Sequence, residues 1–193
     1  MPRPREQLTA GEWALLALLD EAPAHGFALA RAMAPDGEVG QVWAVRRPLV
    51  YRALETLERM GLVRPVGTLR SDSGPQRRIL EPTPAGRSSL SGWLDQPVEH
   101  VRDARSLLML KLLFLMRRET DAAPLLTAQR RQFLAQAERL ATAADAAQGF
   151  DRRLLLWRLH STTAAVAFSE SMLAEPQRDE AAGQTTTGRP EFG

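Results

Sequence analysis

Nine arginines crowd into residues 43–90: Arg46, Arg47, Arg52, Arg59, Arg64, Arg70, Arg77, Arg78 and Arg87. Glu55, Glu58, Asp72 and Glu81 are the acids in that window, so nine charges against four leave it at +5. Residues 1–42 stand at −3 and the rest of the chain balances, which gives a formal charge of only +2 over 193 residues. A guanidinium is a planar fork of donors that fits phosphate oxygens and the O6/N7 edge of guanine. The chemistry on offer is therefore anion recognition, and duplex nucleic acid is the partner such a window suits.

Other reagents are scarce. Cysteine is absent, which removes thiol catalysis, thiolate metal sites and disulfides together. His25, His100 and His160 are far apart and show no zinc-type spacing. Neither a Gly-x-Ser-x-Gly elbow nor a phosphate-cradling glycine loop is present. No catalytic residue, metal site or cofactor is expected, which disfavours an enzyme. A winged-helix docking module for proteins is the competing class, but it has little use for so many unpaired arginines. No apolar run reaches the roughly 20 residues needed to cross a bilayer. The segment Met1-Pro2-Arg3-Pro4-Arg5 lacks the apolar core of a signal peptide. A soluble, cytoplasmic protein is expected.

The arginines need elements to aim them. Thr9-Ala10-Gly11-Glu12 has the capping-box pattern and opens an apolar helix through Trp13, Leu15, Leu16, Leu18 and Leu19. A second helix is expected from around Ala24-His25-Gly26-Phe27, ending before the turn Pro35-Asp36-Gly37. The third begins near Pro48 and closes at Gly61 as a C′ residue. Leu49, Ala53, Leu54, Leu57 and Met60 supply its apolar stripe, and Arg47, Tyr51, Arg52, Glu55 and Arg59 face outward. Such a helix can place its N-terminal end in a major groove. Two short extended runs, Leu62–Val66 and Gln76–Leu80, flank a turn-rich loop and predict a hairpin, or wing. Arg70, Arg77 and Arg78 would then lie along the phosphate backbone. Thr83-Pro84 caps a further helix that runs through Leu90, Trp93 and Leu94 towards Pro97.

Several strings carry a family likeness in order and spacing over roughly residues 8–95. They are Leu15-Leu16-Ala17-Leu18-Leu19, Pro23-Ala24-His25-Gly26-Phe27-Ala28-Leu29 and Tyr51-Arg52-Ala53-Leu54 running to Gly61-Leu62-Val63. Gly74-Pro75-Gln76-Arg77-Arg78 and Thr83-Pro84-Ala85-Gly86-Arg87 follow. Together they resemble the PadR-type transcriptional regulators. The resemblance implies a dimeric repressor with an N-terminal winged helix and a helical C-terminal dimerisation region. It also implies that Tyr51, Arg52, Arg77 and Arg78 meet an operator. The sequence departs from the pattern at Phe27, where a tyrosine is usual, at Ile79-Leu80, where an aromatic pair is common, and at Pro82.

Beyond residue 95 the chain reads as helix. Ala104–Met116 is apolar nearly all round, as a helix buried on most faces would be. Asp121 is expected to cap a long helix with Leu126, Phe133, Ala137, Leu140 and Ala144 on one stripe. A last helix starting near Asp151 carries Leu154, Trp157, Ser161, Ala164, Phe168 and Met172 as a seam. These helices exceed what a 90-residue partner domain can cover, so a homodimer interface is expected. Trp157 and Phe168 are the aromatics placed to line a small-molecule effector pocket between helices. The division expected is thus a mainly α chain with a winged-helix domain over 1–95, a helical dimerisation or effector domain over 96–174, and a disordered tail over 175–193.

Overall fold

The computed structural model describes residues 8–71 and 74–175, with side chains for all of these except 70, 71, 74 and 75. The expected tail from residue 176 onward lies outside the described residues. The elements run α1 (Ala10–Glu21), β1 (Ala24–His25), α2 (Gly26–Ala32), α3 (Gly40–Trp43), α4 (Arg47–Arg59), β2 (Val63–Ser71), β3 (Gly74–Pro82) and α5 (Pro84–Asp95). After them come α6 (Val101–Asp103), a π-helical stretch (Ala104–Leu108), α7 (Met109–Arg117), α8 (Ala123–Ala146) and α9 (Gly149–Ala174). The chain is mainly helical, with a small three-stranded antiparallel sheet in the order β1-β3-β2. No helix among the described residues is long and apolar enough to cross a membrane.

Local chemistry sets most of these boundaries. At α1 the Thr9 hydroxyl accepts from the Glu12 amide while the Glu12 carboxylate accepts from the Thr9 amide at 2.7 Å, completing the capping box. Gly61 ends α4 at φ +70, a left-handed conformation that side chains disfavour. The Leu62 amide donates back to the Leu57 carbonyl and the Gly61 amide to that of Glu58, a Schellman closure. Thr83 joins this end of α4 to the start of α5. Its hydroxyl donates to the Gly61 carbonyl at 2.7 Å and accepts from the Gly86 amide at 3.1 Å.

Two elements and one stripe differ from expectation. Residues Ala24 and His25 form a strand, pairing Ala24 with Leu80 and His25 with Ile79, and α2 starts only at Gly26. A short helix, α3, lies in what read as loop after Pro35-Asp36-Gly37. On α4 the buried stripe is Val50, Leu54 and Leu57, whereas Leu49 is 50% exposed. The apolar arc of α4 is wider than the face its neighbours cover, and the covered edge is set by the packing of α1 and α2.

One core cluster joins the two halves of the chain. Leu15, Leu16, Leu57 and Leu90 belong to it, as do Leu108, Leu110, Phe114, Phe133 and Val166. Polar ties reinforce the junction. Arg117 donates to Glu21 and Glu38, and Arg118 to Asp20, so the end of α7 is bound to the end of α1. The fully buried Gln129 amide pairs with the Val98 amide at 2.7 Å and its carbonyl at 3.0 Å, leaving no buried group of that peptide unmet. On α8 the Asp121 carboxylate accepts from Ala123, one position past the assigned cap Ala122. The last helix begins at Gly149 rather than Asp151, and its buried line is Thr162, Val166 and Ser169. Of the expected seam, Trp157 and Ala164 are exposed, while Leu154, Ser161, Phe168 and Met172 are half-buried.

A Cβ built on Gly86 would stand 2.1 Å from the Leu62 carbonyl oxygen, whereas one on Gly92 would meet nothing within 4 Å. Gly86→Ala is expected to cost about 1–3 kcal/mol through forced backbone displacement. Gly92→Ala is expected to stabilise α5 by up to about 1 kcal/mol through helix propensity. Thermal unfolding of both variants checks this, and equal shifts in one direction would contradict it.

Candidate nucleic-acid interface

The start of α4 is electrostatically unfinished. No side chain caps it, its first turn holds no acid, and Arg46 and Arg47 occupy the cap and the first helical position. A helix N-terminus already carries about half a positive charge from its aligned peptides. Adding two guanidinium groups there is unfavourable unless an anion approaches. Tyr51 and Arg52 follow one turn later and are exposed.

The wing brings a second set of charges to the same place. The β1–β3 pairing at Ala24 and His25 brings the start of α2, with Phe27, beside the return strand that carries Arg77. The Arg77 guanidinium carbon lies 5.1 Å from the centroid of the Phe27 ring. Arg47 lies at the same distance from that ring and 5.9 Å from the Tyr51 ring. One aromatic side chain thus holds two arginines from different elements, each contact worth about 0.5–1 kcal/mol when exposed. Tyr51 rests over Gly26, where a Cβ would come within 2.7 Å of its ring. His25 secures the start of α2, accepting the Ala28 amide at Nδ1 over 3.0 Å, the turn-fixing role its position suggests. A cavity of about 520 Å³ opens among these side chains, with Phe27, Arg47, Tyr51 and Arg77 on its walls.

The sequence-predicted arginines do not all share one state. Among the described residues no ion pair engages Arg46, Arg47, Arg52 or Arg77. Arg78 is different, since it pairs with Glu58 of α4 at 2.5 Å and holds the wing to the helix. Arg64, on the edge strand, pairs with Glu81 across the hairpin. Arg70 lies in β2, but its side chain is outside the described residues. Of the two effector candidates, Trp157 is 71% exposed on α9 and Phe168 is half-buried against the core. They line neither the cavity beside α4 nor a larger one beneath α5. The residue that sequence reasoning missed is Phe27, noted there only for the hydroxyl it lacks.

Residues 15–92 match the model of the transcriptional regulator PadR-like family. Over this segment the chain is similar to the PadR-like regulators. Similar solved structures include Bacillus subtilis PadR in complex with operator DNA, at 26% identity and a TM-score of 0.42, covering 89% of this chain and 100% of that one. The same Bacillus subtilis protein in complex with p-coumaric acid gives 24%, a TM-score of 0.38, and 86% and 98% coverage. A PadR-like transcriptional regulator from Bacillus cereus gives 13%, a TM-score of 0.39, and 89% and 98% coverage. No curated protein matches the chain. The winged helix expected from the sequence is the fold found, and the family model it matches over 15–92 is one of transcription regulators.

Tyr51 is the only tyrosine in the chain, so its ring is a unique spectroscopic reporter of this surface. Gly26→Ala is expected to push that ring aside and move the single resonance of ring-labelled tyrosine while thermal stability falls by no more than a few degrees. An unmoved resonance in the folded variant would contradict the contact.

Proposed function

We propose that this PadR-like regulator is a homodimeric, operator-binding repressor whose DNA contacts come from the start of α4 and from the wing. The observation that carries this is the free, clustered guanidinium charge of Arg46, Arg47, Arg52 and Arg77 at an uncapped helix end. Arg46, Arg47, Tyr51 and Arg52 serve the major groove and the phosphates beside it. Arg70, Arg77 and Arg78 serve the flanking backbone, with Arg78 exchanging Glu58 for phosphate on binding. The operator and acid complexes described for Bacillus subtilis PadR lend the same reading its DNA partner and a small-molecule effector. It performs no catalysis and works in the cytoplasm.

Assembly follows from a face of α9 that nothing among the described residues covers. Phe150 and Trp157, seven residues apart, are 73% and 71% exposed on it. Seven residues is two helical turns, so these rings share a stripe that a second copy would bury. In this reading residues 1–95 form the DNA-reading unit and 96–174 the assembly and effector unit, Trp157 and Phe168 included. Pairing by a two-fold axis presents two α4 helices to half-sites about 34 Å apart.

Selection of bound fragments from random duplexes, at stated salt, should recover a two-fold symmetric site. Arg52→Ala or Arg47→Ala should relax base preference, at a cost of about 1–3 kcal/mol where the arginine reads a guanine. Arg77→Ala should weaken all duplexes alike and lower the salt slope by about one. If Arg77→Ala leaves binding to random DNA at low salt unchanged, the wing does not touch the backbone. Sedimentation should give a dimer at micromolar concentration and a monomer for Trp157→Glu. A wild-type monomer would remove the two-fold reading.

A further inference from the structure

A cavity of about 850 Å³ lies beneath α5. Trp13 and Trp93 form part of its wall, stacked with ring centroids 5.0 Å apart and planes 8° apart. Lys111 of α7 also borders it. This is the only lysine in the chain, where every other permanent side-chain cation is arginine. Arginine keeps its charge at any accessible pH, whereas a buried lysine can give up its proton and act as a nucleophile. Lys111 is 3% exposed. Its Nζ donates to the carbonyls of Trp93 and Gln96, at the C-terminal end of α5, and sits 4.7 Å from the Trp93 ring centroid. A neutral amine has two N–H groups and one lone pair. Two carbonyls engage both N–H groups and leave the lone pair uncommitted.

We propose that Lys111 is a covalent ligand site, at which the cavity admits a small uncharged aromatic aldehyde and the amine captures it as an imine. The stacked tryptophans supply a planar aromatic wall for such a ring. Uncharged ligands suit the cavity because Glu99 and Asp103 share its rim with Arg102 and His100, so no surplus of cations faces a carboxylate. Burial brings the Lys111 ammonium down to about 8, opposed more weakly by Asp95, so at pH 7.5 roughly one chain in four carries the free amine. For an ordinary lysine that fraction is about one in a thousand. In the reaction the amine lone pair bonds to the carbonyl carbon, and the carbonyl π pair moves to oxygen and takes a proton. The carbinolamine then loses that oxygen as water while the nitrogen loses its second proton and the C=N bond forms. No oxidant or reductant enters. The π-helical stretch, between Asp103 and Met109, runs beside this wall, and such insertions concentrate at ligand sites.

Capture also has a mechanical consequence. A neutral imine has no N–H, so it cannot hold the Trp93 and Gln96 carbonyls. The end of α5 is then untied from α7, while the start of α5 stays clamped to α4 through Thr83. This consequence rests on the DNA-binding reading, but the capture does not.

The test treats the full chain with benzaldehyde near pH 7.5, reduces with cyanoborohydride and maps adducts by mass spectrometry. The α-amino group, with its ordinary value near 7.7–8.0, is the internal reference. Lys111 should carry the dominant benzyl group, half-saturating at least tenfold below the α-amino group. Its labelling should rise between pH 6 and 8 and then level, and acetaldehyde should show no such preference. Label confined to the α-amino group, or reaching Lys111 only in urea, would overturn the site. Lys111→Met should lose the adduct and, lacking the same N–H donors, should bind duplex DNA at least tenfold more weakly with or without benzaldehyde. Wild type in saturating benzaldehyde without reductant should bind DNA at least tenfold more weakly than wild type alone. Unchanged DNA affinity in benzaldehyde would overturn the coupling, whereas an unlabelled chain that binds no DNA would overturn the regulator reading instead.

Discussion

Arginines brought together without an ion pair of their own, although Glu55 and Glu58 line the same cavity, are the constraint around which the N-terminal half is organised. Arg46 and Arg47 sit at a helix end whose own dipole repels them, and Arg77 is folded over from the wing to join them. Left to themselves, these side chains would spread into solvent. Phe27 keeps Arg47 and Arg77 together, each 5.1 Å from its ring, so the charge density exists before any partner arrives. Preorganisation of this kind lowers the ordering cost on binding. The fold supplies the rest. The β1–β3 register places Phe27, Gly26 leaves room for Tyr51, and Glu58 moors the return strand through Arg78.

The same logic separates the arginines that stay free from those that hold the scaffold. Arg64, Arg78, Arg117 and Arg118 each find a carboxylate, and all four links bridge different elements. Arg117 and Arg118 are the polar ties between α7 and α1, so a change in the C-terminal helices reaches the reading unit through short, rigid links. Lys111 adds a third tie at α5. All three converge on the helices behind α4, the element proposed to meet DNA.

Much of this was legible in the residues. The Thr9–Glu12 box, Pro48 and Gly61 around α4, and Thr83-Pro84 at α5 are local signals, and each lies where its chemistry requires. The two-residue strand β1 was not, because a strand that short has no period and its partner lies more than fifty residues away. Leu49 misled for a related reason. Its spacing fits the apolar arc, and only the shape of α1 and α2 decides that Val50 is covered instead. Phe27 could be recognised as a departure from the family pattern, but its grip on two arginines is a tertiary contact. The Lys111 clamp was equally hidden, although a solitary lysine in an arginine-rich chain was a signal open to question.

The most direct measurement of the central claim follows the ring-labelled signal of Tyr51 while a duplex of mixed sequence is added to the full chain at low salt. Tyr51 touches Arg47 and stands within the cluster, so its resonance should shift progressively and saturate with the stoichiometry of binding. Complex formation with that resonance unmoved would mean that DNA is held elsewhere on the molecule, and that the gathered guanidinium groups are not its docking surface.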